Sequence, residues 1–355
     1  MDRFPAIAPR TRTLTGVAIL ASLAVAAGFA RGAPPEPPPP PAQGFGAPTS
    51  ATVAVESGSF PNPIDADLLV HWLRPAGRKP NERLPLVAFL HGFGAPSERP
   101  YRAWLEHLAR RGAIVVYPVY PSVEARSART RYDAMWAGLE AAVDAVPATG
   151  ARPDPSRLGV IGHSFGGGAA PAIAARAAAR GWGRDGLWIL ALAPWYDLDR
   201  AAWASLPPHA HLLAVAYEDD KVCDPGIAGT FPALATTIPA DRKAFRCLRS
   251  DPHGSPELRA EHGTPLTFRG VDAYDTRGTW QVADALAAAA GGDEAARRVA
   301  LGRSAEELDL GRWSDGTPVR TPLASWPPDA GEPSRPRRQW RPGGQQAAHD
   351  LLLLA

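Results

Sequence analysis

The chain has 355 residues, of which 45% are hydrophobic and 21% charged, with a formal net charge of +2. That is enough apolar material for one large core or two ordinary ones. The near-neutral balance, with no basic run interleaved with aromatics, excludes the usual signature of a nucleic-acid binder.

At the N-terminus, Arg3, Arg10 and Arg12 precede an uncharged apolar run at 14–30, with small residues at Gly28 and Ala30. Basic residues, an apolar stretch and a small-residue site together read as a signal peptide over 1–30. The alternative is an uncleaved anchor that attaches the protein to a membrane, since the run approaches bilayer-spanning length. Either reading expects export: secretion, or residence in the periplasm or cell envelope. PPEPPPPPAQ and then GFGAP follow, and proline-rich sequence favours extended backbone that buries no core. Residues 31–50 therefore read as a linker, 51–300 as a folded domain, and 301–355 as a partly irregular extension whose arginine-rich stretch 335–341 is a solvated tail.

Short strand-like runs appear at Val53, Val55 and 68–73. LPLVAFLHG (84–92) is a continuous apolar run closed by glycine, the pattern of a strand buried on both faces. Residues 101–110 place Trp104, Leu105 and Leu108 on one helical face. AIVVYP (113–118) is a second buried strand. A helix is predicted over 132–146, from Met135, Trp136, Leu139 and Val143. RLGVIG (157–162) is a third strand and 167–180 an alanine-rich helix. LWILALAP (187–194), HLLAVAYED (211–219) and KAFRCLRS (243–250) are further strands, and 279–290 a closing helix. This alternation predicts an α/β fold, with a mostly parallel sheet and helices on both faces.

GHSFG at 162–166 fits G-x-S-x-G between a predicted strand and a predicted helix. Such a nucleophile elbow holds Ser164 on a tight turn with its hydroxyl clear of the backbone, and the Phe165 amide points from the helix N-terminus at a developing oxyanion. HGFG at 91–94 ends the first buried strand and supplies the second donor, the amide of Phe93 or, failing that, of Gly94. The acid follows the strand HLLAVAYED: Asp220 is favoured and Asp219 competes. The base follows the last strand, where SDPHG places His253. His262 comes later and reads as a surface residue. His91 suits the oxyanion loop better than a general base.

These segments resemble the α/β-hydrolase superfamily, in particular its dienelactone-hydrolase, cutinase-like and chlorophyllase-like branches. HGFGA, GHSFGGG, APW at 193–195 and AYEDDKV are similar to the segment series of bacterial polyester hydrolases. The resemblance implies an α/β-hydrolase fold over about 51–300. It assigns Ser164, Asp220 and His253 to a triad and the amides of Phe93 and Phe165 to an oxyanion hole, with Trp195 and Phe93 lining an acyl cleft and His163 bordering it. Trp195 equally reads as a core aromatic at a strand end. Strands leading to acid and base are neighbours in this fold, so a Cys223–Cys247 disulfide bracing both loops is a further expectation. The expected activity is hydrolysis of a small or polymeric carboxylic ester through an acyl-enzyme. No organic cofactor or metal is expected, because neither a dinucleotide fingerprint nor zinc-type Cys/His spacing occurs. A peptidase, thioesterase or lactonase on the same scaffold is the enzymatic rival, and a non-catalytic envelope binding protein the rival from another class.

Overall fold

The computed structural model describes residues 33–49, 53–121 and 127–325. The leader at 1–30 and the arginine-rich tail both lie outside them. Among the described residues, eight strands form one sheet: β1 Val55–Asn62, β2 Asp65–Pro75, β3 Arg83–Leu90, β4 Ile114–Pro118, β5 Arg152–His163, β6 Gly186–Leu192, β7 His211–Tyr217 and β8 Lys243–Leu248. Their order is β1-β2-β4-β3-β5-β6-β7-β8. β1 and β2 form an antiparallel hairpin, β2 pairs antiparallel with β4, and every pairing from β4 to β8 is parallel. Every residue of β4, β6 and β7 is buried. A strand buried along its whole length has both faces covered, which explains why these segments read as unbroken apolar runs. β1 is mostly exposed or half-buried, as an edge strand is, and its polar and glycine content left only its start near Val55 visible in the hydrophobicity pattern.

Among the described residues, six α-helices fill the connections: α1 Arg102–Arg110, α2 Ala128–Ala145, α3 Phe165–Ala179, α4 Pro225–Leu234, α5 Gln281–Ala290 and α6 Glu294–Leu301. Strand-to-helix alternation with this order is the α/β-hydrolase architecture. Two helices escaped the sequence reading. α4 begins at Asp224, whose side chain accepts from the Gly226 amide with Pro225 at the first helical position. α6 begins at Asp293, which caps the Ala296 amide. Both caps are standard helix-start chemistry, but α4 is weakly periodic and α6, although amphipathic, is only eight residues long.

The flanking segments are more integrated than expected. The proline-rich stretch is not a free spacer. Glu36 exchanges hydrogen bonds with Ser314, the Pro35 carbonyl accepts from the Ser255 amide, Arg277 Nε donates to the Pro39 carbonyl, and the Gly46 amide donates to Asp284 Oδ2. Prolines lack amide donors, so the strap docks through its carbonyls and its few non-proline amides. Within the C-terminal extension, Leu323 and Cys247 exchange backbone hydrogen bonds of 2.8 and 2.9 Å, which covers the outer edge of β8.

Candidate active site

β5 runs straight into α3, and Ser164 sits at the junction with φ 56° and ψ −119°. This left-handed conformation is unusual for a side chain other than glycine and is held by its surroundings. The Ser164 amide donates to the Leu192 carbonyl, and the Ser164 carbonyl accepts from the amides of Trp195 and Gly168. The flanking glycines are required by space. A Cβ on Gly162 would stand 2.1 Å from the Gly166 carbonyl oxygen, and one on Gly166 would stand 2.1 Å from that of Leu90. The structure thus gives GHSFG the geometry of an elbow. Phe165 is the first residue of α3, so its amide has no acceptor four residues back in the helix. Its ring is buried against Tyr120 and Tyr132.

HGFG follows β3 directly. His91 is fully buried, stacked on Tyr120 with ring centroids 4.0 Å apart. Its Nδ1 donates to the Gly92 carbonyl while its Nε2 accepts from the Tyr120 amide. Burial pushes its pKa down to about 4, so the ring is neutral. The His91 carbonyl accepts from Gly166 and from the Tyr120 hydroxyl, which ties this loop to the elbow. Phe93 is 54% exposed, and the Arg131 guanidinium lies 5.3 Å from its ring and 5.5 Å from that of Phe165. Gly94 carries φ +80°.

His163 does not border an open cleft. It is buried and both ring nitrogens are engaged. Nε2 faces the His262 carbonyl at 2.9 Å and must donate, so Nδ1 accepts from the Tyr101 hydroxyl at 2.8 Å. Tyr101 in turn accepts from the Gly92 amide at 3.1 Å. Burial, and next the proximity of His262, hold the His163 pKa well below its usual value. The chain Gly92–Tyr101–His163–His262 therefore connects the HGFG loop, the elbow and a distant loop. No sequence pattern announced Tyr101.

That distant loop brings a different histidine to Asp220 than the one the sequence favours. His253 is not brought to the acid. Its Nε2 lies 2.8 Å from Asp315 Oδ2, and its ring packs edge-on against Trp313. It belongs to a knot in which Asp251 accepts from the His253 amide, the Trp313 indole and the Arg320 amide. After β8 the chain folds back through an Asp251–Leu258 bridge, and the Ala260 carbonyl accepts from the Asp219 amide. This return carries His262 to the end of β7, where its Nδ1 meets Asp220 Oδ2 at 2.8 Å. The Asp220 side chain is almost fully buried, and its Oδ1 accepts from the amides of Val222 and Cys223. The His262 and His163 rings lie 4.8 Å apart. Two His-Gly dipeptides follow β8, and only the return of the chain distinguishes them.

Trp195 is buried, edge-on to Tyr196, and its backbone amide holds the elbow. The expected disulfide is absent: Cys223 and Cys247 are both free and buried. Cys247 sits in β8, facing the Leu248 carbonyl, whereas the Cys223 thiol turns to the Ser164 side chain. Ligand atoms of Asp220, Cys223 and His262 all lie within 4.8 Å of one another.

The family model for chlorophyllase matches residues 45–190. That span holds the HGFG loop and the elbow and ends before Asp220 and His262. No curated protein matches the chain.

Proposed function

We propose that the chain is a serine esterase of the α/β-hydrolase type whose triad is Ser164, His262 and Asp220, a reading supported by the sheet order and by the match of residues 45–190 to the chlorophyllase family model. The observation that carries this reading is the 2.8 Å pairing of His262 Nδ1 with the buried Asp220 carboxylate, beside the Ser164 elbow. Nδ1–H donates to Asp220, so Nε2 is the free basic nitrogen. In the proposed cycle Ser164 Oγ attacks the ester carbonyl and His262 Nε2 takes its proton. The amides of Phe165 and Phe93 stabilise the oxyanion. The alcohol leaves with the proton returned by His262, and water then hydrolyses the acyl-enzyme by the same steps in reverse. Asp220 fixes the tautomer and stabilises the imidazolium. Small or polymeric carboxylic esters are the proposed substrates, with export through the leader part of the same proposal.

Fluorophosphonate labelling followed by peptide mapping tests the nucleophile: the label is expected on Ser164, and a label elsewhere refutes the mechanism. A nitrophenyl ester assay of wild type against Ser164→Ala separates an enzyme from a binding protein, since equal and negligible rates across acyl lengths favour binding. N-terminal sequencing of the protein recovered outside the cytoplasm tests export.

A further inference from the structure

Beside the nucleophile lies a thiol that the hydrolytic cycle does not use. Asp220 Oδ1 accepts two successive amides, from Val222 at 2.7 Å and Cys223 at 2.8 Å. This tight turn folds the chain back over the carboxylate, so Cys223 points toward the same place as His262. Cys223 is 3% exposed and its thiol reaches the Ser164 side chain. The three ligand atoms of Asp220, Cys223 and His262 stand within 4.8 Å of one another. They comprise one sulfur, one imidazole nitrogen and one carboxylate oxygen, drawn from a turn and a loop already joined by hydrogen bonds.

We propose that Asp220, Cys223 and His262 form an inhibitory site for a thiophilic divalent cation of the zinc type. Zinc takes sulfur at about 2.3 Å and nitrogen or oxygen at about 2.0–2.2 Å, in a tetrahedron whose ligand atoms stand roughly 3.5 Å apart. Side-chain rotation by about an ångström closes the present spacing to that value. Three protein ligands leave a fourth position for water or the Ser164 hydroxyl. Binding replaces the thiol proton, which leaves to solvent, with a sulfur–metal bond, and no electrons are transferred. The His262 ring and the Asp220 carboxylate are withdrawn from each other, so the proposed base is lost while the ion is held. His262 is partly exposed, with 22% of its side chain open to solvent, which gives an ion its approach. The site has no zinc-type spacing in sequence, because its ligands come from 220–223 and from a loop some forty residues later.

The inhibitory part rests on the esterase reading, whereas ion binding does not. The experiment therefore has two arms on the full chain. In the first, Co²⁺ is titrated into wild-type protein, Ser164→Ala, Cys223→Ser and Cys223→Ala. A thiolate-to-cobalt charge-transfer band is expected in the near ultraviolet for wild type and Ser164→Ala, and is lost in both Cys223 variants, although Cys247 remains. In the second, nitrophenyl ester turnover is followed against Zn²⁺. Wild type is expected to lose activity reversibly on chelation, and Cys223→Ala to need at least about tenfold more Zn²⁺, equivalent to about 1.4 kcal/mol of lost binding. No band in the wild type, or equal zinc sensitivity in Cys223→Ala, overturns the proposal. A cobalt band together with no turnover at any zinc level upholds the ion site and overturns the esterase reading with its inhibition.

Discussion

Replacing Tyr101 with phenylalanine removes one oxygen from the centre of the molecule. That oxygen accepts the Gly92 amide at 3.1 Å and donates to His163 Nδ1 at 2.8 Å. Burial pushes the phenol's pKa up, so it remains a proton donor throughout the working pH range. His163 cannot compensate by changing tautomer, because its Nε2–H is committed to the His262 carbonyl. The substitution therefore strands one buried donor and one buried acceptor. Each such loss costs about 1–3 kcal/mol, so the expected destabilisation is about 2–6 kcal/mol. The natural control is Tyr120→Phe. The Tyr120 hydroxyl donates to the His91 carbonyl, which keeps its bond from Gly166, and about 1 kcal/mol is expected there. Urea unfolding of both variants against wild type, with unchanged m-values, gives the two numbers. Ester turnover should also fall further in Tyr101→Phe, because the oxygen links the loop before Phe93 to the loop carrying His262. A Tyr101→Phe protein within about 0.5 kcal/mol of wild type, or no more affected than Tyr120→Phe, refutes the linkage.

His262→Ala is expected to lower turnover by about 10³-fold or more, while His253→Ala leaves it nearly unchanged; the opposite ranking in an ester assay restores the first choice of base. Gly166→Ala drives a Cβ into the Leu90 carbonyl, so soluble folded yield and thermal midpoint should drop sharply, more than for alanine at Gly181, where a Cβ meets nothing within 4 Å and only the backbone is strained. Asp275 is buried with Oδ1 unpartnered, and burial raises its pKa to about 8. The native state therefore keeps a proton that the unfolded chain releases near pH 4, and stability from this group fades as pH climbs toward 8. Asp275→Asn keeps the shape without the titration. Its thermal midpoint relative to wild type should rise steadily between pH 5 and 8, and a difference that does not vary with pH removes the explanation.

The sheet was legible wherever strands are buried on both faces, because β3, β4, β6 and β7 show continuous apolar runs. The elbow was legible because its glycines are imposed by local backbone contacts within a few residues of Ser164. The place of Asp220 just past β7 was legible from the strand before it. The histidine was not. His253 is nearer in sequence to β8, but the Asp251–Leu258 bridge turns the chain round and presents His262 instead. That reversal depends on long-range partners, Trp313 and Arg320 on Asp251, which lie about sixty residues away and leave no local mark. The disulfide failed for a related reason. Neighbouring strands do bring Cys223 and Cys247 into one region, but the Asp220 turn aims one thiol at the elbow and leaves the other in β8.

The strap at 35–47 sets where this chain can be shortened. Asp284 is buried and receives the Gly46 amide together with His107 Nε2 and Arg111 Nε. A proteolytic nick upstream of Pro35 leaves those bonds intact, whereas a chain trimmed to begin at Val55 takes the Gly46 donor from Asp284 and the Glu36 pair from Ser314. The proline-rich stretch is thus a clasp between the start of the domain and its far end, and the docked chain begins some twenty residues before the first strand.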